Sequence, residues 1–216
     1  MITLIDSDTV ASSFGGSVNI NTIGATLVVI SVSSYSGGPA PTISDGGLNT
    51  FIPLTARTTG SSRHQIYYSL LTVTSPGHIF NVTGSPSYIA AHVYVFSGVD
   101  SYHSESGATG TSLSSLASGS VTPSTNGSLI ITGVSGDTAV TDSVTAGFTS
   151  HTTPYTGGSN MQGSAAYYVQ PTSGAINPTW SFSPNQTGIA VSSAVFLPTV
   201  TPTTSNERTS LSVSLG

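Results

Sequence analysis

Residues 64–73 read HQIYYSLLTV, and residues 164–173 read SAAYYVQPTS, with the paired tyrosines 100 positions apart. At the same offset Phe80 falls on Trp180, Ile89-Ala90 on Ile189-Ala190 and Val95-Phe96 on Val195-Phe196. Upstream the echo continues with small shifts: Ile43-Ser44-Asp45 matches Val140-Thr141-Asp142, and Gly24 before Leu27-Val28 matches Gly127 before Leu129-Ile130. The chain is therefore a duplicated pattern. Residues kept in both copies are expected to be scaffold, which leaves the unrepeated ones for function.

Around this echo lie short β-branched and aromatic runs bounded by Gly, Pro, Asn or Ser, the signature of strands. In the first half the runs are 18–20, 26–33, 42–44, 51–56, 65–73, 79–82 and 89–97. In the second half they are 119–122, 128–134, 139–141, 146–149, 165–170, 179–183 and 189–196. No window carries a 3.6-residue period with helix caps. The expected fold is all-β: an antiparallel, jelly-roll-like β-sandwich of two pseudo-repeated halves with almost no helix. The favoured layout is one sandwich over residues 1–198, with halves of about 1–100 and 101–198. The alternative is two tandem sandwiches of about 100 residues each. The junction from Gly98 to Thr125 is read as a long connection.

Composition narrows the partners. Of 216 residues, 37% are apolar and 5% charged, with a net charge of −5. Lysine is absent, and the basic residues are Arg57, Arg63 and Arg208. Three arginines cannot neutralise a run of phosphates, which argues against nucleic acid. No polybasic patch is present for anionic lipid, and no apolar run approaches the roughly 18 residues of a membrane span. Without cysteine there is neither a disulfide framework nor a thiolate metal site. The opening MITLIDSDTVASSF lacks the basic and apolar regions of a signal peptide. A Ser/Thr-rich surface without that signal fits three readings: a mature chain restarted on a new Met, an unconventional secretion route, or a virus-particle component assembled in the cytoplasm and released by lysis, the last needing the fewest additions if Met1 is native. So few charges also give little colloidal protection, which suits a chain fixed in an assembly.

The C-terminal stretch stands outside both copies. Residues 199–216 comprise a Pro/Thr spacer and the segment NERTSLSVSLG, in which Leu211, Val213 and Leu215 alternate as in a strand. Arg208, Leu211, Val213 and Leu215 form a candidate assembly arm that adds a strand to a neighbouring subunit. The plainer reading is a frayed end or one extra edge strand.

The runs GATLVVISVS, TISDGG, HQIYYSLLTV and SYIAAHVYVFSGVD resemble a broad group of Ser/Thr/Gly-rich β-sandwich modules. Such modules occur in phage structural proteins and in bacterial surface and secreted proteins. The resemblance covers about residues 17–197. It departs from the family pattern at Val95, where an acidic residue is usual, and at the Asp-Gly-Gly turn of Asp45. It implies a jelly-roll-like sandwich used for display, attachment or recognition, and it carries over no catalytic site.

Chemistry-bearing residues are sparse. The eight carboxylates are Asp6, Asp8, Asp45, Asp100, Glu105, Asp137, Asp142 and Glu207. Asp45 and Asp142, read as repeat equivalents at strand ends, are expected to cap turns. Nothing nominates the facing pair a glycosidase needs. Asp100-Ser-Tyr-His103-Ser-Glu105 is the densest polar cluster and is read as a solvated loop, because its spacing matches no metal motif. No G-x-S-x-G elbow or Ser-His-Asp set is legible. Neither an enzymatic activity nor a cofactor or metal is expected. Asn81, Asn126 and Asn185 open formal glycosylation sequons, unsurprising by chance in so Ser/Thr-rich a chain. Tyr35, Tyr102 and Tyr155, on segments read as loops, are candidates for stacking on a surface glycan.

The functional expectation is a non-enzymatic virion component, most concretely a bacteriophage capsid decoration protein at the particle surface. Its partners would be the major capsid protein or sibling subunits in a homo-oligomer. Two alternatives stand beside it: a carbohydrate-binding module of a surface protein or phage adhesin, at the cell surface or outside it, and an extracellular filament subunit.

Overall fold

The computed structural model describes residues 1–84, 88–138, 141–154 and 161–200. Among them there are seventeen strands and no helix. The first half contributes β1 (Thr3–Ser12), β2 (Gly15–Ile20), β3 (Leu27–Tyr35), β4 (Thr42–Ser44), β5 (Ile52–Pro53), β6 (Arg57–Thr59), β7 (Ser62–Leu70), β8 (His78–Thr83) and β9 (Ile89–Ser97). The second half contributes β10 (Val99–Gly110), β11 (Leu113–Ala117), β12 (Ser128–Gly136), β13 (Thr141–Val144), β14 (Thr149–Pro154), β15 (Gln162–Gln170), β16 (Thr179–Gln186) and β17 (Ile189–Pro198).

Each half folds by the same wiring. The first builds a large sheet, β1-β9-β3-β7-β5 with β6 also on β7, and a small sheet, β2-β8-β4. The second builds β10-β17-β12-β15-β14 and β11-β16-β13. All pairings are antiparallel. First strand pairs with last and second with penultimate, the nested order of a jelly roll. No sheet mixes strands of the two halves, so in place of one shared two-layer sandwich there are four layers. Apolar surface dictates this. The run Leu27-Val28-Val29-Ile30 is buried on both faces: Val28 and Ile30 pack with Phe80 and Val82 of the small sheet, while Leu27 and Val29 pack with Leu129, Ile131 and Phe196 of the other large sheet. A strand covered on only one face would alternate with polar residues. On the far side Trp180 and Phe182 close the second half over Val134, Ala166 and Val191.

The two large sheets meet with approximate two-fold symmetry. β3 lies against β12, β1 touches β14, and the counterpart β10 touches β6. One end of this contact is apolar. The other is polar and close-packed, with Ser31, His64 and His92 buried in it and Ser33 Oγ donating to the Val134 carbonyl at 2.9 Å. Gly133 and Gly163 face it, leaving no room for a Cβ.

Several sequence expectations need correction. β1 and β10 were not anticipated; both are polar edge strands whose existence rests on the apolar β9 and β17 beside them. The segment Asp100–Glu105 therefore lies in a strand and not in a solvated loop. The run 51–56 shrinks to a two-residue strand, and 119–122 to the isolated bridge Val121–Ile176. The tyrosine echo is displaced by one. Tyr68 lies opposite Val29 and Tyr167 opposite Ile131, so these two are the structural equivalents, and Tyr67 corresponds to Ala166. Likewise Ile43 lies opposite Val82 and Asp142 opposite Phe182, so Asp45 and Asp142 are not equivalents.

Candidate functional site

Subtracting one half from the other leaves, among the described residues, a built feature of the first half that the second does not repeat. Three loops of the first half, 21–26, 45–50 and 71–77, are laced around a buried imidazole at the end of β8. His78 Nε2 donates to Asp45 Oδ2 at 3.1 Å, and its Nδ1 lies 3.0 Å from Thr22 Oγ1. Thr22 Oγ1 also accepts from the Ser75 amide at 2.8 Å, and Asp45 Oδ1 accepts from the amides of Leu48 and Asn49. The Asn49 side chain donates to Asp45 Oδ2 at 2.7 Å and accepts from the Thr72 amide at 2.9 Å. The predicted turn cap at Asp45 is thus present, extended into a strut across all three loops. The His78 ring stacks on Phe80 with centroids 4.4 Å apart.

Burial alone would raise the Asp45 pKa, but the hydrogen bonds from Asn49 and His78 outweigh it and hold the carboxyl below its ordinary value. The group is therefore an acceptor, and His78 Nε2 carries a proton. Hydroxyl, imidazole and carboxylate stand in the order of a Ser-His-Asp relay. Thr22 is fully buried and its oxygen is engaged by Ser75, so no substrate carbonyl reaches it. The trio acts as a strut. Replacing Asp45 with Ala leaves His78 buried without its carboxylate and should cost about 3 kcal/mol. A urea melt reads the loss, and hydrogen exchange should place it in the loops at 45–50 and 71–77.

Above the strut opens a cleft of about 610 Å³ lined by Ser17, Leu48, His78, Ile79 and Asn81 among others. Two of its lining residues are apolar and exposed, Leu48 by 50% and Ile79 by 48%, and on the laced loops Ile23 and Val73 are exposed by 54% and 39%. In the second half the counterpart of Ile79 is Thr179 and that of His78 is Pro178, while Val144 stands where the register puts Asp45. The counterpart loops, 125–128, 144–148 and 171–178, carry no exposed large apolar side chain.

A second cleft of about 460 Å³ lies between β1 and β14, lined by Ser7, Asp8, Thr9, Ser150, His151 and Thr152. The His151 ring stacks on Tyr94 and bonds its hydroxyl at 3.1 Å. At the pseudo-symmetric position the gap is bridged, because Glu105 accepts from the Thr55 amide and hydroxyl.

The residues singled out from sequence are not gathered at either place. Tyr35 ends β3, half-buried against Tyr88, Ala90 and Met161. Tyr102 sits on β10, stacked on Tyr68 at 5.2 Å and edge-on to Phe196. Burial first, then Glu105 and Tyr68, raise the pKa of Tyr102. The two tyrosines lie toward opposite ends of the sheet, since Tyr35 pairs with Ser62 and Tyr68 with Val29. Tyr155, Arg208, Leu211, Val213 and Leu215 lie outside the described residues. The laced site was missed although one signal for it was legible: His78 and Ile79 break the repeat at Pro178 and Thr179.

Among family models, curated proteins and solved structures, none matches this chain. What stands is an all-β protein with two similar antiparallel halves, β1–β9 and β10–β17.

Proposed function

We propose that this protein is a non-enzymatic structural component of a virus particle, a capsid decoration or accessory protein displayed at the particle surface. One observation carries the reading: on a charge-poor, duplicated body, Ile23, Leu48, Val73 and Ile79 are exposed on or beside three laced loops of one half, while the counterpart loops of the other half expose no large apolar side chain. A contiguous exposed apolar region on such a surface marks a contact site. The strut beneath it fixes three loops, as a docking face requires and as a catalytic site does not by itself need. The resemblance to Ser/Thr/Gly-rich modules of phage structural proteins supports the same reading. On it, the partners are the major capsid protein or sibling subunits, and the C-terminal arm contributes to holding them. Mass spectrometry of purified particles tests this. The chain should be present in fixed stoichiometry to the major capsid protein, and its absence from clean particles would sink the proposal.

A further inference from the structure

We infer that the apolar rim formed by Ile23, Leu48, Val73 and Ile79 receives residues 209–215 of a neighbouring copy of this chain. The inference rests on the assembly reading above and names the surface the arm engages. Two exposed apolar side chains, Leu48 and Ile79, line one cleft, and Ile23 and Val73 are exposed on the laced loops 21–26 and 71–77, on a body whose counterpart loops carry no exposed large apolar side chain. The arm supplies matching chemistry, because Leu211, Val213 and Leu215 alternate so that one face of an extended segment is apolar.

The last described residues, Thr199 and Val200, lie by Met1, Ile2, Asn126 and Gly127, at the end of the large sheets from which loops 21–26 and 71–77 extend. The Thr199 amide donates to the Gly98 carbonyl at 2.9 Å, and the adjacent Val99 amide donates to Thr26 Oγ1 at 2.9 Å, at the base of the loop that carries Ile23. From Val200 to Leu211 the intervening ten residues span up to about 35 Å when extended. A Pro/Thr composition favours extended chain and resists doubling back. That length is enough for residues 209–215 to meet the rim of a neighbouring copy. Repetition of the contact is head-to-tail and suits a ring or lattice of copies.

The test uses a synthetic peptide of residues 206–216 and the protein lacking residues 201–216. The peptide should bind the shortened protein, and Ile79→Asp or Leu48→Asp should weaken that binding by about tenfold or more. Both positions are about half exposed, so unchanged melting temperatures keep a folding defect from explaining the loss. In sedimentation the full chain should associate with rising concentration, and both the deletion and Ile79→Asp should leave it monomeric. Peptide binding indifferent to Ile79→Asp would overturn the inference, and so would a full chain monomeric at every concentration. If association survives the deletion but not Ile79→Asp, another occupant covers the rim and the arm is excluded. Failure here leaves the particle measurement untouched. Absence from particles, with peptide binding intact, removes the particle reading alone.

Discussion

Lowering the pH from 7 to 4.5 is expected to remove about 5 kcal/mol of folding stability, through His64 and His92. Both imidazoles are buried in the polar end of the contact between the large sheets. Burial, with His92 beside His64 and His151 beside His92, lowers the pKa of each from 6.5 to about 3. The folded state therefore holds them neutral where the unfolded chain takes up protons. Their contribution is complete above pH 6.5 and is lost progressively as pH falls toward 3. At pH 4.5 each has forfeited about two pH units, or about 2.7 kcal/mol. Urea titrations at pH 7, 6, 5 and 4.5 give the slope directly, and replacing both histidines with glutamine should flatten it. A stability curve level across this interval would show that the seam does not exclude the charged form. Asp45 acts separately: its carboxyl sits below 3.8, so its contribution is present above that value and lost only in stronger acid.

Gly133→Val should destabilise the protein by about 3 kcal/mol, and by preventing the halves from meeting rather than by altering the backbone. Gly133 lies on β12 facing the first half. A Cβ there would stand 2.3 Å from His64 Nε2 and 2.3 Å from Ser31 Oγ, two atoms already bonded to each other at 2.9 Å. Gly163 is confined in the same way by Ser33 and Ala90. Ser135→Ala supplies the contrast. Its hydroxyl is buried there with no hydrogen-bond partner among the described residues, so removing it should be neutral or slightly stabilising. Equal losses from Gly133→Val and Ser135→Ala in paired melts would mean that the seam is loosely packed, contrary to this account.

Much of the scaffold was legible in the residues themselves. The apolar strands at 26–33, 89–97, 128–134 and 189–196 were placed by pattern, because a run buried on both faces is continuous and conspicuous. The polar edge strands β1 and β10 were not. Their residues carry no alternation strong enough to read, and they are strands because β9 and β17 offer them a ladder. The tyrosine echo gave the duplication correctly and its register one residue out, since identity cannot see a one-residue shift between β7 and β15. Of the candidate site, Asp45 was read as a turn cap. Its partner His78 lies 33 residues away, and Thr22, which bonds His78, lies 56 residues from that histidine, so no local pattern joins them.

Sequence alone determined the all-β class and its apolar central strands, the duplication and a surface almost without charge. These follow from local composition and from a repeat that can be counted along the chain. Only the tertiary structure decided that the halves stack as four layers, that two histidines are sealed between them, and that one end of one half carries an apolar rim over a buried Asp–His strut. Those features depend on which faces meet, and side chains far apart in sequence become neighbours only when the sheets pack.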